Sequence, residues 1–150
     1  MRGGDPAVSR SEIVRAARSW IGTPYHHQAS LRGIGTDCLG LVRGVWRTLY
    51  GCEPVALPSY TPDWAEASGC ETLLEAARKH LIPVDIAKPK QGDILLFRLK
   101  QSLPAKHVAI LGSTVTMIHA VEHAPVSEVP FSQWWQRRLA GVFSFPGVAD

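Results

Sequence analysis

The stretch Lys106-His107-Val108-Ala109-Ile110-Leu111-Gly112-Ser113-Thr114-Val115-Thr116-Met117-Ile118-His119-Ala120 holds two apolar, β-branched runs separated by turn residues, the pattern of a β-hairpin. His107 and His119 stand six residues on either side of Ser113. If Gly112, Ser113 and Thr114 form the loop, Leu111 pairs with Val115, and His107 lies directly opposite His119 on one face of the ribbon. Partners so placed have Cβ atoms about 4.5 to 5.5 Å apart, close enough for the imidazoles to share a hydrogen bond. A two-residue Gly112-Ser113 turn would send the rings to opposite faces, because a slip of one residue inverts a strand. Register therefore decides what the two histidines can do.

Outward from the hairpin, residues 93–99, 126–129 and 141–145 are further short apolar runs bounded by turn residues, and residues 132–137 have room for a short helical turn. Toward the N-terminus the period changes from two to about 3.6. Ser9 precedes Glu12 by three residues, a capping-box spacing, and Ile13, Ala16, Ala17 and Trp20 follow on one helical face, predicting a helix over residues 10–20. Gly22-Thr23-Pro24 stops it, and residues 26–35 read as an irregular loop. A second helix begins at Cys38, with Val42, Val45, Trp46 and Leu49 on one face and Gly51 at its end. Residues 53–62 contain three prolines and read as a surface connection. Thr61 and Pro62 then open a helical region reaching His80, with Gly69 a candidate break. Helices first and antiparallel strands second is an α+β order, with the N-terminal helices packed on a C-terminal antiparallel sheet. At 150 residues one domain, 1–150, is the natural reading.

Hydrophobic residues make up 45% of the chain and charged residues 19%, enough to bury a core and unlike a disordered chain. The 16 lysines and arginines exceed the 13 acids by a net charge of +3. They are scattered, which speaks against nucleic acid as a partner while leaving an anionic polymer open. No run of apolar residues is long enough for membrane insertion, and Met1 to Pro6 lacks the apolar segment of a secretory signal. The three cysteines, Cys38, Cys52 and Cys70, form no C-x-x-C pair. Neither a disulfide framework nor a structural zinc site is expected.

Cys38 follows Gly35-Thr36-Asp37, so Thr36 or Asp37 can cap the helix while the sulfur lies in its first turn. Unpaired N–H groups and the helix dipole there favour a thiolate. The plain alternative, a small buried hydrophobe, suits Cys52 and Cys70. A cysteine beside a histidine that a third polar group orients is the arrangement for covalent acyl transfer, with His107 as base and His119 as orienter. Two strand histidines satisfied by backbone carbonyls would need no such chemistry. A zinc site of Cys38, His107 and His119 ranks third, since their separation carries no metal-motif spacing. Thiol catalysis predicts a bell-shaped pH profile, inhibition by iodoacetamide and indifference to chelators.

Gly22-Thr23-Pro24-Tyr25, Asp37-Cys38-Leu39-Gly40-Leu41-Val42, Gln91-Gly92-Asp93, Lys106 to Ile110 and Met117 to Ala120 together resemble, in order, the signatures of the NlpC-type, papain-like cell-wall peptidases. The tail, with Trp134-Trp135 and Phe143-Ser144-Phe145-Pro146, resembles the subgroup encoded with phage and gene-transfer-agent tail genes. The resemblance implies a papain-like fold needing no cofactor or metal. In it Cys38 attacks an amide of the peptidoglycan stem peptide, commonly between D-glutamate and a diamino acid, His107 takes the thiol proton, and His119 holds His107. It implies that Tyr25 helps bind substrate or the oxyanion and that Asp37 contacts a substrate amine; aromatic packing and helix capping explain these two residues about as well. It further implies a protein made in the bacterial cytoplasm, carried by a phage-like tail in contact with tail or baseplate proteins, and opening the wall locally. A non-catalytic tail plug or adaptor, and a thiol amidase or acyltransferase, are the alternatives. Leu39 stands where relatives usually have serine, and His26-His27 where many have an aromatic residue and glycines. His26 and His27 read as solvent-facing loop residues, with lining of the pocket as the alternative, and His80 and His123 as surface residues; at least one ring of Trp134-Trp135 is expected to be buried against the sheet, contact with sugar or a partner protein being the other reading.

Overall fold

A computed structural model describes residues 8–54 and 71–149. In chain order its elements are β1 (Val8–Ser9), α1 (Arg10–Arg18), β2 (Ser30–Leu31), β3 (Gly35–Thr36), α2 (Cys38–Tyr50), α3 (Thr72–His80), β4 (Ile82–Pro83), β5 (Ile94–Phe97), β6 (His107–Leu111), β7 (Thr116–His119), β8 (Ser127–Pro130), α4 (Gln133–Gln136), β9 (Leu139–Ser144) and β10 (Val148–Ala149). The helix start expected at Thr61-Pro62, the break at Gly69 and Cys70 lie outside the described residues.

Six strands form one sheet in the order β4-β9-β5-β6-β7-β8, with every neighbouring pair antiparallel. The sheet and the helices make the α+β architecture. β5 and β6 lie at its centre and are buried along their whole length, hence their unbroken apolar runs. Alternate residues face two separate cores. Ile94, Leu96, Val108, Ile110 and Ile118 pack with Ile13, Ala17, Leu41 and Val45 of α1 and α2. Leu95, Phe97, Ala109, Leu111 and Met117 pack on the opposite side with Phe131, Trp135 and Val142. Burial of apolar surface on this scale, at about 25 cal/mol per Å², is the main force holding helices to sheet.

The local signals at α1 form as read: Ser9 Oγ accepts the Glu12 N–H at 3.1 Å and Glu12 Oε1 accepts the Ser9 N–H at 3.2 Å. Gln91-Gly92-Asp93 ties α1 to the sheet, since the buried Asp93 carboxylate accepts from Arg10 at 2.8 Å and from the Lys90 N–H at 2.7 Å. α2 crosses close to its neighbours because two of its residues lack side chains. A Cβ on Gly44 would lie 2.0 Å from the Trp20 ring, and one on Gly40 would lie 2.0 Å from the Ala29 carbonyl oxygen.

Three expectations are corrected. Residues 26–35 contain the two-residue strand β2, which pairs antiparallel with β3 through Ser30↔Thr36 and Leu31↔Gly35. Cys52, expected to be buried, is exposed. The hairpin pairs Leu111 with Met117 and Ile110 with Ile118, two residues away from the expected register. The cause lies in the loop, where Ser113 Oγ accepts the Val115 N–H at 3.2 Å and the Thr116 hydroxyl donates to Glu128 Oε2 at 2.7 Å. Val115 is thereby turned out of the ladder, 67% exposed. A shift of two preserves the face of every side chain, so both histidines still point the same way.

Candidate active site

The site begins where α2 begins. Asp37 is extended and caps the helix: its Oδ1 accepts the Gly40 N–H at 2.7 Å, and its Oδ2 accepts the Gln28 N–H at 2.8 Å. This places Cys38 in the first turn, half-buried. Its sulfur meets the sheet at the start of β6, on the backbone either side of His107. The thiol donates to the Lys106 carbonyl at 3.9 Å, and the Val108 N–H hydrogen-bonds to the sulfur.

His107 and His119 share the sheet face turned away from α2. In the observed register they are diagonal neighbours rather than direct partners, a separation that long side chains can bridge. His107 Nε2 lies 3.0 Å from His119 Nδ1. Trp135 packs on both rings, 5.3 Å from each by ring centroids, and Phe97 flanks His107 at 5.9 Å. Both imidazoles are buried, at 8% and 5% exposure.

Cys38 and His107 line one cleft of about 310 Å³, together with Tyr25, His27, Asp37, Leu39, Leu99 and Glu122. His119 stands behind His107 and does not line it. Of the residues singled out in the sequence, the structure thus gathers Tyr25, Asp37, Cys38 and His107 at the cleft and joins His119 to His107. Of the two readings of His27, solvent-facing or pocket-lining, the structure shows the second: it lines the cleft, with Nδ1 3.9 Å from Asp37 Oδ2. His26 and His123 are exposed, while His80 at the end of α3 is half-buried. Trp134 is 48% exposed, so of the tryptophan pair it is Trp135 that packs inward.

Burial sets the charge state. It pushes the Cys38 thiol up to about 12, with the Asp37 charge acting in the same direction; the N–H groups of Val108, Leu39 and Cys38 oppose this and are outweighed. The N–H groups at the helix start do act in favour of the thiolate, as expected, but desolvation exceeds them. Burial brings His107 down to about 3, aided by His119, and brings His119 down to about 4. Thiol and imidazoles are therefore neutral together over the middle of the pH range. Burial, with the charges of Cys38, Asp37 and Glu122, also raises Tyr25 to about 12, so its hydroxyl stays a donor. Among the described residues no group of three or more His, Cys, Asp or Glu side chains is placed to hold a metal ion.

Sequence reading missed Trp135 as the residue covering both imidazoles, and Leu99 and Glu122 as cleft walls. The tryptophan pair was visible; no local pattern marked the other two.

A helix-terminal thiol and an imidazole at one cleft of an α+β protein, the imidazole backed by a second, define a thiol–imidazole class of site. Residues 22–144 match the NlpC/P60 family, and the chain belongs to that family. It is 28% identical over 145 residues to the gamma-DL-glutamyl hydrolase of Bacillus subtilis (strain 168), covering 96% of this chain and 31% of that protein. The chain thus spans about a third of the length of that relative. Among solved structures, the NlpC/p60 domain of peptidoglycan hydrolase SagA superposes with a TM-score of 0.61 at 26% identity, over 92% of this chain and all of that one. An NlpC/P60 family protein from Bacillus cereus ATCC 10987 superposes with a TM-score of 0.65 at 19% identity, over 91% of this chain and 40% of that one.

Proposed function

We propose that this protein is a cysteine endopeptidase that cleaves the peptidoglycan stem peptide at the bond between D-glutamate and the diamino acid. The observation that carries the reading is the 3.0 Å contact between His107 Nε2 and His119 Nδ1 at the edge of the cleft that holds Cys38. Kinship with a relative named for γ-glutamyl hydrolysis supports the choice of bond.

In this mechanism the Nε2–H of His107 donates to His119 Nδ1, which leaves His107 Nδ1 unprotonated as the base. The resting thiol proton, aimed at the Lys106 carbonyl, turns toward His107 by rotation about the Cβ–Sγ bond. As the proton passes to His107, sulfur attacks the amide carbon. The tetrahedral intermediate collapses with His107 protonating the departing amine, and water then hydrolyses the thioester with His107 as base again. N–H groups at the start of α2 and the Tyr25 hydroxyl supply donors for the developing oxyanion. The orienting role of His119 resembles that of the third member of other nucleophilic triads.

Delivery by a phage-like tail is part of the proposal, supported by the resemblance of the tail segment around Trp134-Trp135 and Phe143 to Pro146. On that reading the protein is made in the cytoplasm, contacts tail or baseplate proteins and acts on periplasmic peptidoglycan. The test is digestion of defined muropeptides followed by mass spectrometry of the fragments. The wild-type protein should release γ-D-glutamyl products, and Cys38→Ala should release none. Fragments cut at another bond would give the activity to an amidase. No cleavage by wild type, with Cys38→Ala particles assembling normally, would point to an adaptor.

A further inference from the structure

Leu99 is a wall shared by two cavities. On one side is the cleft of Cys38; on the other is a groove of about 660 Å³ lined by Arg98, Lys100, Gln101, Arg137, Arg138 and Leu139. Among the described residues no acidic side chain lines this groove. Arg98 is already committed, paired with Glu71 and donating to the Leu103 carbonyl at 2.8 Å. The other three cations differ. Among the described residues, no carboxylate pairs with Lys100, Arg137 or Arg138. Arg137 donates to the Gln133 side-chain oxygen at 3.2 Å, a neutral partner. Arg138 is held rigidly, donating to the Trp134 carbonyl at 2.8 Å with its guanidinium 3.6 Å over the Trp134 ring. Its Nε is buried with no hydrogen-bond partner among the described residues, an arrangement that ordinarily costs stability.

A second groove adjoins the cleft through other residues and carries a carboxylate. Tyr25, His27 and Glu122 line both the Cys38 cleft and a groove of about 540 Å³ between residues 24–27 and 122–125. The Cys38 cleft therefore adjoins one groove through Tyr25, His27 and Glu122 and a second, cationic groove through Leu99. A pinned guanidinium is preorganised for a carboxylate, because its planar fork loses little freedom on binding.

We propose that Lys100, Arg137 and Arg138 form an anion subsite that takes the free carboxylates of an acidic peptide substrate, on the Leu99 side of the cleft. This rests on the hydrolase reading above and deepens it: the subsite makes the enzyme selective for stem peptides whose diamino acid carries a free carboxylate over the same peptides amidated there. The cationic groove also raises the encounter rate with acidic peptides.

The test compares γ-D-glutamyl tripeptides with a free or an amidated carboxylate on the diamino acid. Binding is titrated on Cys38→Ala protein so that no turnover intervenes, and cleavage is followed with Cys38 in place. The free acid should bind about tenfold more tightly than the amide, as expected for a charge-assisted contact. Lys100→Glu with Arg137→Glu, both at exposed positions, should bring the ratio close to one. Lys88→Glu, a charge change of the same sign outside the groove, should keep it. Equal affinity for acid and amide, or a preference that survives the double substitution, overturns the subsite. If the binding preference is present and neither peptide is cut, the subsite stands and the hydrolase reading falls.

Discussion

Removing the His119 ring leaves His107 Nε2 without its partner at 3.0 Å in a buried site. We expect His119→Ala to lower kcat by about 10- to 100-fold, and His107→Ala by about 10²- to 10⁴-fold, the usual range for a general acid–base group. His119→Asn should recover part of the loss, because its carbonyl oxygen can accept the Nε2–H of His107; no recovery in steady-state kinetics would mean that the bond runs the other way. Trp135 acts on the same pair from outside. Trp135→Leu should admit water to both imidazoles and let their pKa values rise toward the ordinary 6.5, shifting the acid limb of activity upward, as an NMR titration of the two rings would show. The neutral resting pair also revises the bell-shaped profile expected from the sequence. With His119 near 4 and Cys38 near 12, kcat/KM should fall only toward acid and stay level through neutral and mildly alkaline pH. A narrow bell centred near neutrality would instead reveal a preformed thiolate–imidazolium pair.

The start of α2 carries more than the sulfur. Asp37 satisfies two backbone N–H groups from different segments, so Asp37→Ala removes a helix cap and orphans the Gln28 N–H as well. A loss of about 2 kcal/mol is expected in denaturant melts, the upper end for a capping residue. Gly44 sets how closely α2 lies against Trp20. Gly44→Ala forces a methyl group into the ring and should cost about 1 to 3 kcal/mol despite the better helix propensity of alanine. An unchanged Tm for Gly44→Ala would show that Trp20 can move aside without penalty. At the hairpin, the side chains of Ser113, Thr116 and Glu128 selected a register that strand patterning alone did not. Alternation could place both histidines on one face; loop hydrogen bonds decided that they meet diagonally.

Stability of the whole molecule should follow the buried imidazoles. Folded His107 and His119 titrate at about 3 and 4, below the ordinary 6.5, so unfolding takes up protons below that value. Stability is then complete above pH 6.5 and is lost as pH falls toward 4, by about 1.4 kcal/mol per pH unit for each ring. Cys38 has the opposite sign. Its folded value near 12 lies above the ordinary 9.0, so stability declines as pH rises from 9 toward 12. Urea midpoints across pH 4.5 to 8 should show the acid loss, and His107→Gln with His119→Gln should flatten it; an equally steep decline in the double variant would assign it to carboxylates.

Sequence alone determined the elements whose signals are local. The capping box at Ser9, the apolar face after Cys38 and the buried strand from His107 to Leu111 follow from spacing, because helix and strand periods act within a few residues; the face shared by the two histidines waited on the hairpin register. The family was legible in the ordered motifs for the same reason. Tertiary structure decided what depends on distant segments meeting. It brought the Cys38 sulfur to the backbone beside His107, covered both imidazoles with Trp135, and gave the cleft its Leu99 and Glu122 walls. It also settled the protonation of the site, since the thiol and imidazole values are set mainly by desolvation, and burial is a property of the packed molecule that no stretch of sequence carries by itself.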